Sequence, residues 1–201
     1  LLKDDGYSTA VGDEGGYAAQ IESADRAFEL LLRAIERAGY APGKDVAFAL
    51  DVAASELAVE GTNPIQYEFK KAKSARMSAA ELISTYESWC KKYPIVSIED
   101  GLDENDWDGW TKFMAEAGDK IRLVGDDLLV TNVKFVEKAI QLKACNALLC
   151  KVNQIGSLSE TIAAVNMSLR ARWGGAVLHP RGGTEDTTLS HFGVGVDTGL
   201  V

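Results

Sequence analysis

Repeated βα units, and hence an α/β fold with parallel strands, are predicted for these 201 residues from two observations. Short β-rich or apolar runs alternate with longer segments of helical periodicity, and each run ends on an ionisable residue. No Pro/Gly/Ser linker or low-complexity stretch divides the chain, so residues 1–201 read as one domain.

The elements follow in order. Ser8 to Val11 is the first short run and leads into the turn Gly12-Asp13-Glu14-Gly15-Gly16. Ser23 caps a helix whose apolar face is Ala27, Phe28, Leu31, Leu32 and Ile35, and Gly39 stands where a left-handed stop residue is expected. Val46 to Leu50 is a strand. Glu56 to Arg76 is irregular, with Tyr67-Glu68-Phe69 as a short hairpin strand. Ser78 with Glu81 reads as a capping box, and Pro94 stops the helix that runs past Trp89. Ile95 to Ile98 and Ile121 to Val124 are strands. Asn132 caps a helix presenting Phe135, Val136, Ala139, Ile140 and Leu142. Ala147 to Leu149 is a strand, Ser157 with Glu160 is a second capping box, and Ala176 to Leu178 is the last strand.

Composition narrows the function classes. The chain is 46% hydrophobic and 25% charged, as soluble globular domains are, and large enough to bury a core without disulfides or a structural metal. Thirty Asp and Glu against 21 Lys and Arg give a net charge of -9, which argues against nucleic acid or an anionic membrane as partner. Small molecules, metals and proteins remain. Cys90, Cys145 and Cys150 are an odd count without a CxxC pair, so a reduced, cytoplasmic setting is expected. No apolar run approaches the ~20 residues of a membrane span. The chain starts at Leu1-Leu2 without an initiator Met and stops at Val201 inside an apolar run, so both ends look cut.

The strand ends carry the chemistry. After the predicted strands come Glu14, Asp51, Glu99, Asp126, Lys151 and His179, separated by 37, 48, 27, 25 and 28 residues, roughly one βα unit each. Parallel strands bring their C-terminal ends to one side, where these side chains converge. Any one of them alone reads as a helix N-cap, and Gly12 to Gly16 alone reads as a tight turn. Asp51, Glu99 and Asp126 together form an all-oxygen set suited to a hard cation, Mg²⁺ before Ca²⁺ or Mn²⁺. Without a cation they repel, and one or more takes up a proton. Lys151 on the next strand is a general base if burial and the cation disfavour its charged form; the alternative is a salt bridge to Asp126 or Glu99. Glu14 is placed to give a proton to a leaving hydroxyl.

These residues stand in motifs: Gly12-Asp13-Glu14-Gly15-Gly16, Ala49-Leu50-Asp51, Ser97-Ile98-Glu99-Asp100, Gly125-Asp126-Asp127-Leu128 with Thr131-Asn132, and Lys151-Val152-Asn153-Gln154-Ile155-Gly156. In this order they resemble the strand-end motifs of the enolase family, over essentially the whole chain. The resemblance implies a TIM-type (β/α) barrel, incomplete, with strands two to seven present. It implies a Mg²⁺-dependent hydro-lyase of glycolysis that dehydrates 2-phosphoglycerate to phosphoenolpyruvate. Asp51, Glu99 and Asp126 would then hold the magnesium, Lys151 would take the C2 proton, and Glu14 would assist loss of the C3 hydroxyl. His179 and Arg181, with Glu99, Asp126 and Lys151, would bind the substrate. A homodimer is the family's usual assembly.

Two departures stand out. The family's Ser-His-Arg-Ser-Gly-Glu-Thr-Glu-Asp-Thr is here Leu178-His179-Pro180-Arg181-Gly182-Gly183-Thr184-Glu185-Asp186-Thr187, so Pro180 occupies the phosphate-binding Arg position, and either Arg181 reaches the phosphate from one place along or the site binds poorly. The N-terminal α+β domain, the first barrel strand and the last substrate-binding Lys have no counterpart within residues 1–201. The chain is therefore expected to be a portion of a longer protein, or a divergent remnant that pairs with another copy. The competing expectation is an enolase-derived module without turnover that serves in binding or scaffolding.

Overall fold

Segments apolar at every position are the ones that end up covered on both sides. Ala147 to Cys150 is the clearest: all four residues are buried, as the middle of a parallel sheet requires. The computed structural model describes residues 1–12, 15–69, 74–174, 176–178 and 187–196. In chain order its elements are α1 (Ala24–Arg37), β1 (Phe48–Asp51), a 3₁₀ turn (Ala54–Leu57), β2 (Gln66–Tyr67), β3 (Met77–Ser78), α2 (Ala79–Lys92) and β4 (Ile95–Glu99). There follow α3 (Trp107–Ala117), β5 (Arg122–Gly125), α4 (Val133–Leu142), β6 (Ala147–Cys150), α5 (Val152–Ile155), α6 (Leu158–Arg170), β7 (Ala176–Leu178) and α7 (Thr188–Gly195).

The main sheet has five strands in the order β1-β4-β5-β6-β7, parallel at every pairing. β1 and β7 are its two edges, so the sheet is open among the described residues. Five strands cannot complete a closed barrel of the eight-stranded kind. The segment Ser8 to Val11 does not join the sheet. Val11 instead makes a single antiparallel bridge to Tyr17, with the Ala18 N–H donating to Ala10 and the Gly12 N–H to Gly16, both at 2.8 Å. The backbone at residues 10–12 thus runs antiparallel to that at 16–18, and Val11 and Tyr17 stay 59% and 67% exposed.

Helix punctuation follows the sequence closely. The hydroxyl of Ser23 accepts from the Arg26 N–H, Ser78 and Glu81 form the full reciprocal box, and Asn132 accepts from the Lys134 N–H. At α6 the Ser157 hydroxyl accepts from the Glu160 N–H, while the Glu160 carboxylate bonds that hydroxyl. The apolar faces are narrower than periodicity alone suggests. Leu31, Phe135 and Leu142 are 48%, 41% and 42% exposed, while Phe28, Leu30, Val136 and Ala139 are buried. Leu30 shares a helix face with Arg26, Arg33 and Arg37, which hold Asp5 and Asp4 of the N-terminal segment in ion pairs. That segment is thereby held along α1.

Strand periodicity divides the sheet into two chemical faces. Ile98, Leu123, Leu148 and Cys150 point into the main core with Tyr86, Trp110, Phe113, Val136, Ala164 and Val165 of the helices. Val124, Ala147 and Leu149 form a separate small cluster on the other face. The hairpin of β2 and β3 is antiparallel and is tied down by Tyr67, whose hydroxyl donates to Asp106 at 2.7 Å and accepts from the Asp103 N–H at 3.1 Å.

Candidate active site

The period of two continues past the strand ends and decides which side chains meet. Asp51 lies directly beside Glu99 in the β1–β4 register, and Glu99 lies beside Val124 in the β4–β5 register. Asp126 is two residues beyond Val124, and Lys151 is two beyond Leu149, so all four share the face opposite the helices. The C-terminal ends of four adjacent strands thus deliver three carboxylates and one ammonium group to one side.

Lys151 and Asp126 are both buried, and Lys151 Nζ bonds Asp126 Oδ2 directly. Of the two carboxylates that spacing offers Lys151 as ion-pair partners, Asp126 is the one it bonds. The other oxygen, Oδ1, accepts from Gln154 Nε2 at 3.0 Å. Glu99 is partly buried, and its carboxyl is pushed up to about 8. Burial is the main cause, followed by the negative charges of Asp51, Asp126 and Asp100, with Lys151 pulling the other way. Crowding of anions, expected from the sequence, is therefore a property of the folded site. Asp51 is exposed at its strand end, and its Oδ1 accepts from the Ala53 N–H at 3.1 Å.

Spacing alone does not single out Asp100, and the fold gives it a role. It is buried, sits at φ +41°, and its two oxygens accept from the N–H groups of Asp126 at 3.0 Å and Asp127 at 2.8 Å. It clamps the turn that presents Asp126. Burial, helped by the charges of Asp126 and Asp127, pushes its carboxyl up to about 7, against the pull of those two amide bonds. Asp100, Asp126 and Asp127 form a group whose carboxylate oxygens come within 4.8 Å of one another. Both Asp100 oxygens accept backbone N–H bonds, so Asp100 shapes the turn, and Asp126 belongs both to this group and to the face shared with Asp51 and Glu99.

An all-oxygen set with no Cys or His among the described ligands suits a hard divalent cation. The sign of fit is the pairing of Asp51 with Glu99 in register at neighbouring strand ends, where a cation would offset both the burial and, after it, the repulsion from Asp51 and Asp126 that raise the Glu99 carboxyl. Glu14, His179 and Arg181, with Pro180, lie outside the described residues. Thr131 and Gln154 also reach the pair, Thr131 through the Lys151 N–H and Gln154 through Asp126. Their signal was weak, because a threonine in a loop and a glutamine three residues after a lysine occur widely without function.

The family model described as the enolase C-terminal TIM barrel domain matches residues 1–201. Enolase 1 of Methylococcus capsulatus (strain Bath) is 47% identical over 201 residues, covering all of this chain and 47% of that protein. The chain thus spans about half the length of the curated relative it matches.

Proposed function

Given that the chain belongs to the enolase C-terminal TIM barrel family, we propose that it carries the proton-abstracting and metal-holding half of a hydro-lyase converting 2-phosphoglycerate to phosphoenolpyruvate. The observation that carries this reading is the buried Lys151–Asp126 pair set beside Glu99 and Asp51 on one face of the sheet. Asp51, Glu99 and Asp126 hold Mg²⁺. When bound, the ion supplies positive charge that stabilises the substrate carboxylate as negative charge builds on it.

The chain's own residues supply the rest. Lys151 exchanges its bond to Asp126 for the substrate and releases one ammonium proton to solvent, and the neutral Nζ so formed receives the C2 proton. Gln154 retains Asp126 while this happens. Glu14 delivers a proton to the C3 hydroxyl as it leaves, and water departs. His179 and Arg181 bind the substrate, Arg181 replacing the arginine that Pro180 displaces. Residues 1–201 act as one domain, in a cytoplasmic protein that works as a homodimer. No described helix is long and apolar enough to cross a membrane.

Appearance of the enol product's ultraviolet absorbance in Mg²⁺, and its loss in EDTA, tests the assignment. Turnover that survives EDTA refutes a metal-dependent lyase. Pro180 favours a second reading, a binding module without turnover. Titration of 2-phosphoglycerate in Mg²⁺ separates the two, because absence of affinity removes Arg181 from the site and leaves the module.

A further inference from the structure

A closed hydrogen-bonded ring surrounds the acid–base pair. The Lys151 backbone N–H donates to Thr131 Oγ1 at 2.9 Å, and the Thr131 hydroxyl donates to Gln154 Oε1 at 3.3 Å. Gln154 Nε2 donates to Asp126 Oδ1 at 3.0 Å, and Asp126 Oδ2 accepts from Lys151 Nζ. Donor and acceptor roles agree all the way round. Asp126 only accepts, so the Gln154 amide must turn its nitrogen toward it and its oxygen toward Thr131.

The backbone carries a further mark. Val130 and Thr131 both lie in the left-handed region, at φ +41° and +56°, where β-branched residues are rare. Such outliers persist only where surrounding structure over-determines them, and they cluster at functional sites. Here the unusual backbone accompanies a hydroxyl, fully buried with Thr131, that meets the N–H of the residue bearing the base. Gln154 is exposed at the rim, on the four-residue helix α5, one turn after Lys151. Its contribution to the core is small, and its two amide contacts are both within the ring.

We propose that Thr131 and Gln154 are positioning residues for the acid–base pair: Thr131 fixes the backbone from which Lys151 projects, and Gln154 fixes the carboxylate plane of Asp126. The assignment rests on the hydro-lyase reading above. When Lys151 leaves Asp126 for the substrate, Asp126 loses one of its two side-chain donors. Gln154 then prevents the carboxylate from rotating, so that Lys151 returns to the same oxygen. Neither residue touches the reacting atoms.

The test uses the natural protein and the variants Gln154→Leu, Thr131→Val and Thr131→Ser. In Gln154→Leu and Thr131→Val, turnover and C2-proton exchange fall together by about 10- to 100-fold, the scale of a small misplacement of a reacting group, while KM stays within about threefold. Thr131→Ser keeps the hydroxyl and recovers activity. Hydrogen exchange at the Lys151 amide speeds up in Thr131→Val and not in Thr131→Ser. Wild-type kcat in Gln154→Leu, or a loss confined to KM, overturns the proposal. So does unchanged Lys151 amide exchange in Thr131→Val, whatever the activity. If the unaltered protein exchanges no C2 proton in Mg²⁺, the hydro-lyase reading itself fails and the positioning role falls with it, while the exchange data still report whether the ring exists. Should Thr131→Val not fold, the rim variant Gln154→Leu decides the matter.

Discussion

Replacing Lys151 by Met removes one charge from the buried centre while keeping most of the side-chain volume. The pair's side chains are 10% and 8% exposed, so the variant leaves Asp126 with a carboxylate largely out of water and without its cation. Breaking a buried pair from one side costs about 3–5 kcal/mol. The lower end applies here, because Gln154 still donates to the other Asp126 oxygen. For a domain of this size about 3 kcal/mol lowers the midpoint of thermal unfolding by roughly 6–12 °C. Mg²⁺ supplies the missing positive charge among the same carboxylates, so the gap between variant and unaltered protein narrows in Mg²⁺. Chemistry does not recover: exchange of the C2 proton falls by about 10²–10⁴-fold, the usual contribution of a general base. The assays are thermal unfolding with and without Mg²⁺ and deuterium exchange at C2. Retained exchange refutes Lys151 as the base, and a stability gap that Mg²⁺ leaves unchanged or widens refutes the charge argument.

Asp126→Asn weakens Mg²⁺ binding by about 100-fold or more, measured by calorimetry, since it removes a charged ligand and not merely a supporting contact; unchanged affinity removes Asp126 from the metal set. Because the Glu99 carboxyl is pushed up to about 8, Mg²⁺ must displace a proton below that pH. Affinity then climbs by up to about tenfold per pH unit toward 8 and levels off above it, whereas a flat profile between about pH 6 and 8 contradicts the crowded site. Tyr67→Phe deletes a fully buried hydroxyl that serves both Asp106 and the Asp103 N–H, and costs about 1–3 kcal/mol in denaturant unfolding; a neutral result means that water replaces it. Gly101→Ala sets a methyl 2.8 Å from Phe113 Cε1 and 3.0 Å from Ile98 Cγ2, costing about 1–3 kcal/mol by overpacking. A melting point unchanged in that variant refutes tight packing beneath the β4 loop.

Much of the fold was legible because its signals are local. A capping serine followed three residues on by glutamate bonds its own helix, so Ser78 and Glu81 form the expected box. The sheet strands lie within one or two residues of their expected bounds, as at Phe48–Asp51 and Arg122–Gly125. Ser8 to Val11 misled because a short run beside a glycine turn pairs equally well with its own return segment, and no sheet neighbour claimed it. Leu31, Phe135 and Leu142 misled because helical periodicity marks an apolar stripe without saying how wide a surface will cover it.

The candidate site divides along the same line. Order along the chain determined that Asp51, Glu99, Asp126 and Lys151 would sit at successive strand ends, and parallel pairing follows from the βα alternation. Tertiary structure decided what no spacing encodes. The register set Asp51 beside Glu99, the Lys151 ammonium chose Asp126, and Asp100 became the clamp of the β5 turn. It also closed Thr131 and Gln154 into a ring with the pair. A sequence specifies which groups arrive at a strand end. Hydrogen-bond direction and burial depend on distances between segments 20 or more residues apart, and those exist only once the sheet has assembled.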